Sequence, residues 1–180
     1  MTEEEYRKEL AEKRAFYWNE AGKGGAVIGG ILSLSMIFTY LFRNTGNTAG
    51  LVSNLIVLFT MTVGVYLWGR RFAVRQPAGE LPLTYLRIFS FLLTTLCFAG
   101  ILYGATLYVL YTHVNTEYYQ QLLRSAFTEM KLPEAEIKDY IAMVDQGITN
   151  PINILLNSIF SMYCIGLIPC AVIAALIRRR

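Results

Sequence analysis

The sequence predicts an all-α integral membrane protein. The expected form is a four-helix transmembrane bundle, preceded by a charged helix and carrying a helical hairpin between its third and fourth spans. Three observations predict it. Apolar residues make up 54% of the 180-residue chain and charged residues only 16%, against about 45–50% and roughly a quarter in soluble domains. The apolar residues gather into four long blocks with few charges inside, each long enough to cross a bilayer. Residues 113–150, between the third and fourth blocks, are polar, with apolar positions at helical spacing.

The chain opens MTEEEYRKELAEKRAFYWNEAGKGG. Thr2 with Glu5 three places on fits a capping box, and the acidic first turn suits the helix dipole. Tyr6, Leu10, Ala11, Arg14 and Tyr17 or Trp18 make a thin stripe. Residues 1–22 are therefore expected as a cytoplasmic helix lying on or near the bilayer, rather than one docking a partner, and ended by Gly22. Phe16, Tyr17 and Trp18 suit the headgroup level just before the first span. This charged start has no pattern of a cleavable signal peptide.

The membrane domain is expected over 23–180. Its first span covers about 25–42 and is followed by the polar turn RNTGNTAG; the second covers about 51–68. The loop GRRFAVRQPAGELP, with three arginines, leads to a third span at about 83–111. A helix that long exceeds the roughly 30 Å hydrocarbon core, so it tilts or protrudes.

Two short amphipathic helices are expected within 113–150. Tyr118, Leu122, Phe127 and Met130 form the apolar side of the first, capped by Asn115 or Thr116. Pro133 suits the first turn of the second, Ile137, Tyr140, Ile141 and Val144 form its stripe, and Gly147 suits its end. Asn150-Pro151 then caps and opens the last span, about 151–177, which Pro169 should kink by removing a backbone hydrogen bond. The two halves of the chain share no motif that would mark an inverted-repeat transporter.

The basic residues orient the chain. With the N-terminus in the cytoplasm, Arg7, Lys8, Lys13, Arg14, Lys23, Arg70, Arg71, Arg75, Arg87, Arg178, Arg179 and Arg180 fall on or near the cytoplasmic side. The other side keeps only Arg43, Arg124, Lys131 and Lys138. Both termini are thus expected in the cytoplasm of a cell with an inner membrane, and the hairpin in the periplasm. The terminal arginines anchor the last helix, and Arg70, Arg71, Arg75 and Arg87 belong to the same set, with anionic lipid headgroups as their natural contacts.

Chemistry is sparse. The net charge of +3 is too small to argue for nucleic acid, and no basic groove with interleaved aromatics appears. The one histidine, His113, has only Glu117 at i+4, too few ligands for a metal site. Cys97, Cys164 and Cys170 all lie in apolar blocks and read as small buried thiols. No nucleophile–base pair or nucleotide motif is visible, so an enzyme, a cofactor and a metal are not expected.

The spans as drawn hold no Asp or Glu, which disfavours proton-coupled carriers. Their uncharged polar residues are Asn54, Thr60 and Thr62 in the second, Thr94 and Thr95 in the third, and Asn153, Asn157, Ser158 and Ser161 in the fourth. These either line a small polar cavity or hydrogen-bond between helices. Small residues four apart predict close helix packing: Gly25, Gly29 and Ser33; Gly100 and Gly104; and Gly166 with Cys170 and Ala174. A homo-oligomer is compatible with such faces but not required by them.

The order of these features resembles the family catalogued as domain of unknown function 4199, small bacterial membrane proteins found mainly in Bacteroidota. The matching stretches are Gly25 to Gly30, RRFAVRQPAGELPLTYLRIFSF, EYYQQLLRSAFTEMKLPEAEIKDYIAMV, NPINILL and GLIPCAVIAALIRRR, together covering about residues 23–180. The resemblance implies an integral inner-membrane protein and transfers neither an activity nor site residues. The expected role is an accessory or interaction protein of the cell envelope, with the bilayer and another membrane or envelope protein as partners. The alternative is a small transporter or channel subunit using Asn54, Asn157 and the kink at Pro169.

Overall fold

The structure is a computed structural model, and it describes residues 2–42, 47–76, 84–114 and 116–178. The side chains of 47–49, 116, 118–119, 122 and 147–149 are outside that description. The expectations placed on Arg43, Asn115, Arg179, Arg180, the Tyr118 and Leu122 side chains, and 77–83 of the basic loop therefore lie outside the described residues.

The elements are α1 (Glu3–Leu41), α2 (Asn47–Phe59), a π-helical turn (Thr60–Gly64), α3 (Val65–Val74), α4 (Tyr85–Val109), a second π-helical turn (Leu110–Val114), α5 (Thr116–Glu129), α6 (Glu134–Thr149) and α7 (Pro151–Arg178). Four stretches are long and apolar enough to cross a membrane: α1, Gly50–Val74, Tyr85–Val114 and α7. The chain is thus an all-α, membrane-type bundle.

The expected helix end at Gly22 is absent. α1 runs unbroken for 39 residues from the capping box at Thr2, whose side chain accepts from the Glu5 backbone N–H. A mid-helix glycine costs only about 1 kcal/mol, and packing on either side of Gly22 outweighs it. Ala21, Gly24 and Gly25 are all buried against the other spans. The N-terminal segment is therefore continuous with the first span, not a separate helix ended at Gly22.

This continuity also redirects the aromatics. Phe16 stacks on Phe72 at 5.9 Å between ring centroids, and Tyr17 meets Phe72 and Phe91 edge-on at 6.0 and 5.6 Å. Phe72 and Phe91 themselves stack at 3.7 Å, and both are fully buried. Phe16 and Tyr17, partly buried, thus pack against the core, whereas Trp18 is exposed.

α4 is the central helix, packed on α1 along one side and on α7 along the other. Glycines set both contacts. A Cβ on Gly29 would stand 2.8 Å from the Ala99 carbonyl oxygen, and one on Gly25 would overlap Phe98. Ser33 continues the same face, its hydroxyl donating to the Leu102 carbonyl at 3.4 Å. On the other side, a Cβ on Gly100 would lie 2.9 Å from the Ile159 Cα, and one on Gly104 would lie 2.8 Å from the Ser158 hydroxyl. Gly166 of α7 faces Leu96 so closely that no side chain fits between them. Gly30, by contrast, faces open space.

The second span divides its packing: α2 lies on α1, whereas α3 lies on α7. The π turn between them buries Thr60 and Met61. Beyond the bundle, α5 and α6 form the expected hairpin. Ile137 is its buried anchor, and Phe127 meets Tyr140 at 5.7 Å.

Two hairpin expectations fail in detail. Met130 is 70% exposed and not part of a buried face. α6 runs past Gly147 to Thr149, where Asn150 ends it and opens α7 by accepting from the Ile152 N–H at 3.0 Å. Lys131 turns the chain between the two helices with a left-handed φ of 57°. The Leu132 N–H bonds the Phe127 carbonyl and the Lys131 N–H bonds the Thr128 carbonyl, which is the Schellman pattern of helix ends.

Candidate functional site

The uncharged polar residues of the spans sort into two groups once their partners are known. Thr62, Thr94 and Thr95 return their hydroxyls to carbonyls one turn back, at 2.8, 2.8 and 2.9 Å. Such bonds satisfy the hydroxyl inside its own helix. Ser35 of α1 and Ser53 of α2 bond each other at 2.6 Å, and the Tyr17 hydroxyl sits between Ser90 at 3.2 Å and Thr94 at 3.1 Å. These groups join helices.

Asn54 and Asn157 differ. Neither makes a hydrogen bond among the described residues, and neither does the hydroxyl of Tyr103 on α4. All three face the half of the bundle nearest the hairpin. Asn54 lines a cavity of about 380 Å³ with Ser35, Thr39, Ser53 and Tyr103. Asn157 lines another of about 540 Å³ with Ser158, Ser161, Met162 and Tyr103. Tyr103 and Leu107 of the central helix line both cavities.

The cleft exists because α2 leans on α1 while only α3, below the π turn, packs on α7. Met143 and Val144 of α6 close the side of the cleft near α7. The next residue, Asp145, accepts a hydrogen bond from the Tyr111 hydroxyl at 2.5 Å, and Gln120 of α5 bonds the same hydroxyl. One tyrosine at the end of the third span thus ties both hairpin helices down beside the cleft.

Pro169 lies in α7 without interrupting it. Its missing N–H frees the carbonyl of Ile165, the residue of the second cavity nearest the basic end.

At the basic end the structure brings together a group that sequence reading missed. Glu20 is only 4% exposed, and its Oε2 has no hydrogen-bond partner. Lys23 Nζ stands 3.5 Å from Oε1 and Arg71 Nε 3.8 Å from Oε2. Trp68 donates its indole N–H to the Glu20 carbonyl at 2.9 Å, and the Arg71 guanidinium lies over the Trp68 ring at 4.6 Å. Glu20 precedes the first span as drawn, and α1 carries it into the packed interior of the bundle at its basic end. The available signal was spacing: Glu20, Gly24 and Ile28 follow one another at i+4 on the buried face.

The other residues singled out from sequence are dispersed. Arg70, Arg75 and Arg178 are exposed at the basic end, while Arg87 is half-buried in the first turn of α4 behind the Thr84 cap. Among the described residues no three His, Cys, Asp or Glu side chains gather as a metal site. Cys97, Cys164 and Cys170 are free thiols.

No curated protein and no solved structure matches the chain. A family model described as "Protein of unknown function (DUF4199)" matches residues 23–179, which takes in all four membrane-type helices and the hairpin but leaves out the first 22 residues. On that match, the chain belongs to the DUF4199 family of proteins of unknown function.

Proposed function

We propose that the chain is a non-enzymatic accessory protein of a bacterial inner membrane, with both termini in the cytoplasm and the α5–α6 hairpin presented to an envelope or membrane partner in the periplasm. One observation carries the reading. The hairpin is fixed to the bundle through Tyr111 and Asp145, yet it leaves Met130 70% exposed and Tyr140 45% exposed. Exposed aromatic and methionine side chains on a rigid support are the usual anchors of a protein contact. The orientation rests on the arginines that cluster with the termini. There Arg70, Arg71, Arg75 and Arg178 suit anionic headgroups.

Extraction of the full chain from its native membrane in polymer nanodiscs, followed by mass spectrometry, tests this. A stoichiometric second protein that is lost on Met130→Lys and Tyr140→Lys supports the reading. The chain recovered alone, or only as a homo-oligomer, removes it. A reporter active only in the periplasm, fused after Arg180, should stay silent.

A second reading, a small transporter or channel subunit, is favoured by the cavities beside Asn54 and Asn157. Its test is flux through reconstituted vesicles. Wild-type flux after replacing Asn54, Asn157 and Pro169 would end it.

A further inference from the structure

We infer that the cleft at the hairpin end is a binding site for one uncharged amphiphile, with a head that both donates and accepts hydrogen bonds and a tail that is hydrocarbon. The inference goes beyond the accessory role and stands whether or not a protein partner is captured.

Depth is the first support. Asn54 lies about 6 Å along its span from Gly50, Asn157 about 9 Å from Pro151, and Tyr103 about 16 Å from Val114. All three lie within stretches long and apolar enough to cross a membrane. Inter-helix bonds like those of Tyr17 with Ser90 and Thr94 are how this bundle satisfies polar groups elsewhere. Asn54 and Asn157 are exposed on the bundle and Tyr103 is half-buried; where hydrocarbon rather than water covers such groups, each costs about 1–3 kcal/mol if nothing bonds it.

The walls select the occupant. Among the described residues no charged side chain lines either cavity, and a charged head buried there without a counter-ion would be strongly disfavoured. A pure hydrocarbon would leave the carboxamides unbonded. Met36, Val57, Leu107, Met162 and Ile165 supply an apolar wall against which a tail displaces water favourably. Volumes of about 380 and 540 Å³ fall within the roughly 300–1,000 Å³ of small-molecule sites. The carboxamides supply both donors and acceptors, and the phenol adds a third hydrogen-bonding group. That set suits a polyol or amide head better than an ester or ether alone.

The probe is 1-monooleoylglycerol bearing a diazirine in its acyl chain, added to the purified full chain in nanodiscs and photo-crosslinked. Saturable labelling within 53–57, 103–107 or 157–165 is expected. Unlabelled 1-monooleoylglycerol should compete at least tenfold better than oleate at pH 8 or hexadecane. Asn54→Leu with Asn157→Leu should weaken labelling at least tenfold while the protein elutes as wild type. Asn54→Gln with Asn157→Gln should retain more than half of it.

Three outcomes overturn the inference. The first is labelling that does not saturate, or that spreads evenly over exposed apolar residues outside those windows, such as Leu34 and Ile168. The second is equal competition by oleate or hexadecane, and the third is labelling unchanged in a folded double-leucine variant. Water alone in the cleft would give the first pattern.

Discussion

The two ends of the bundle are built from opposite materials. At the basic end, α1, α3, α4 and α7 close around stacked Phe72 and Phe91, and Glu20, the one buried charged residue among those described, has two cations within 4 Å. At the hairpin end, α2 and α7 stand apart, and the carboxamides between them have no protein partner among the described residues. The basic end pairs its buried carboxylate with cations; the hairpin end, beside the bonds Ser35–Ser53 and Tyr111–Asp145, leaves Asn54 and Asn157 available. The difference marks where stability and where recognition reside, and substitutions can probe each side of it.

The largest effect should come from the glycine contacts that hold α4 at the centre. Gly29→Ala or Gly100→Ala should each cost about 1–3 kcal/mol, because the added methyl meets backbone rather than a movable side chain. Gly30→Ala, one residue away and facing open space, should be neutral or stabilising by up to about 1 kcal/mol. Thermal unfolding of the three variants in one detergent checks this. Equal behaviour of Gly29→Ala and Gly30→Ala would mean that α1 does not pack as described.

Next is the tie at the hairpin end. Tyr111→Phe removes a hydrogen bond to a carboxylate, worth about 1.5–3 kcal/mol locally. Hydrogen exchange in α6 should accelerate while exchange in α4 below Gly104 stays unchanged. A uniform acceleration would show that the hairpin and the bundle open as one unit.

The basic end offers a subtler test. Arg71→Ala strips Glu20 of one cation, and Glu20→Gln removes the charge that needed it. A double-mutant cycle should therefore show a coupling of about 1 kcal/mol. Arg71 is partly exposed, so solvent screening keeps the value well below that of a fully buried pair. Strict additivity would mean that the two groups do not interact.

The smallest effect is at the hairpin turn. Lys131→Gly should stabilise by about 1 kcal/mol or less, because glycine adopts the left-handed φ of 57° without the Cβ conflict. The same protease-resistance assay on Lys131→Ala should show no gain.

Much of this architecture was legible beforehand. Hydropathy alone located four spans, since a bilayer admits little besides long apolar helices. The small residues of α1 and α4 were visible as spacing, and Pro133 and Asn150-Pro151 marked two helix starts to within a residue. The candidate site was legible only as residue types. Asn54 and Thr62 look alike in sequence as polar residues of one span. Thr62 closes a bond on its own helix while Asn54 does not, and that depends on length and direction of the side chain. Glu20 stayed hidden because Gly22 reads as a stop, and its burial depends on α3 bringing Trp68 and Arg71 across. The π turn at Thr60–Gly64, which lets the second span change neighbours, has no sequence signature comparable to proline.

The unbroken α1 has a consequence for distance. Packing on the rest of the bundle begins at Phe16, so residues 3–15 continue beyond it for about 20 Å as one rigid rod. Glu3, Glu4 and Glu5 sit at its tip. Whatever meets that tip is held away from the basic face carrying Arg70, Arg71 and Arg178. The projecting turns carry both charge signs in register, Glu3 with Arg7 at 3.5 Å and Glu9 with Lys13 at 2.7 Å, so the helix acts as a charge-balanced spacer.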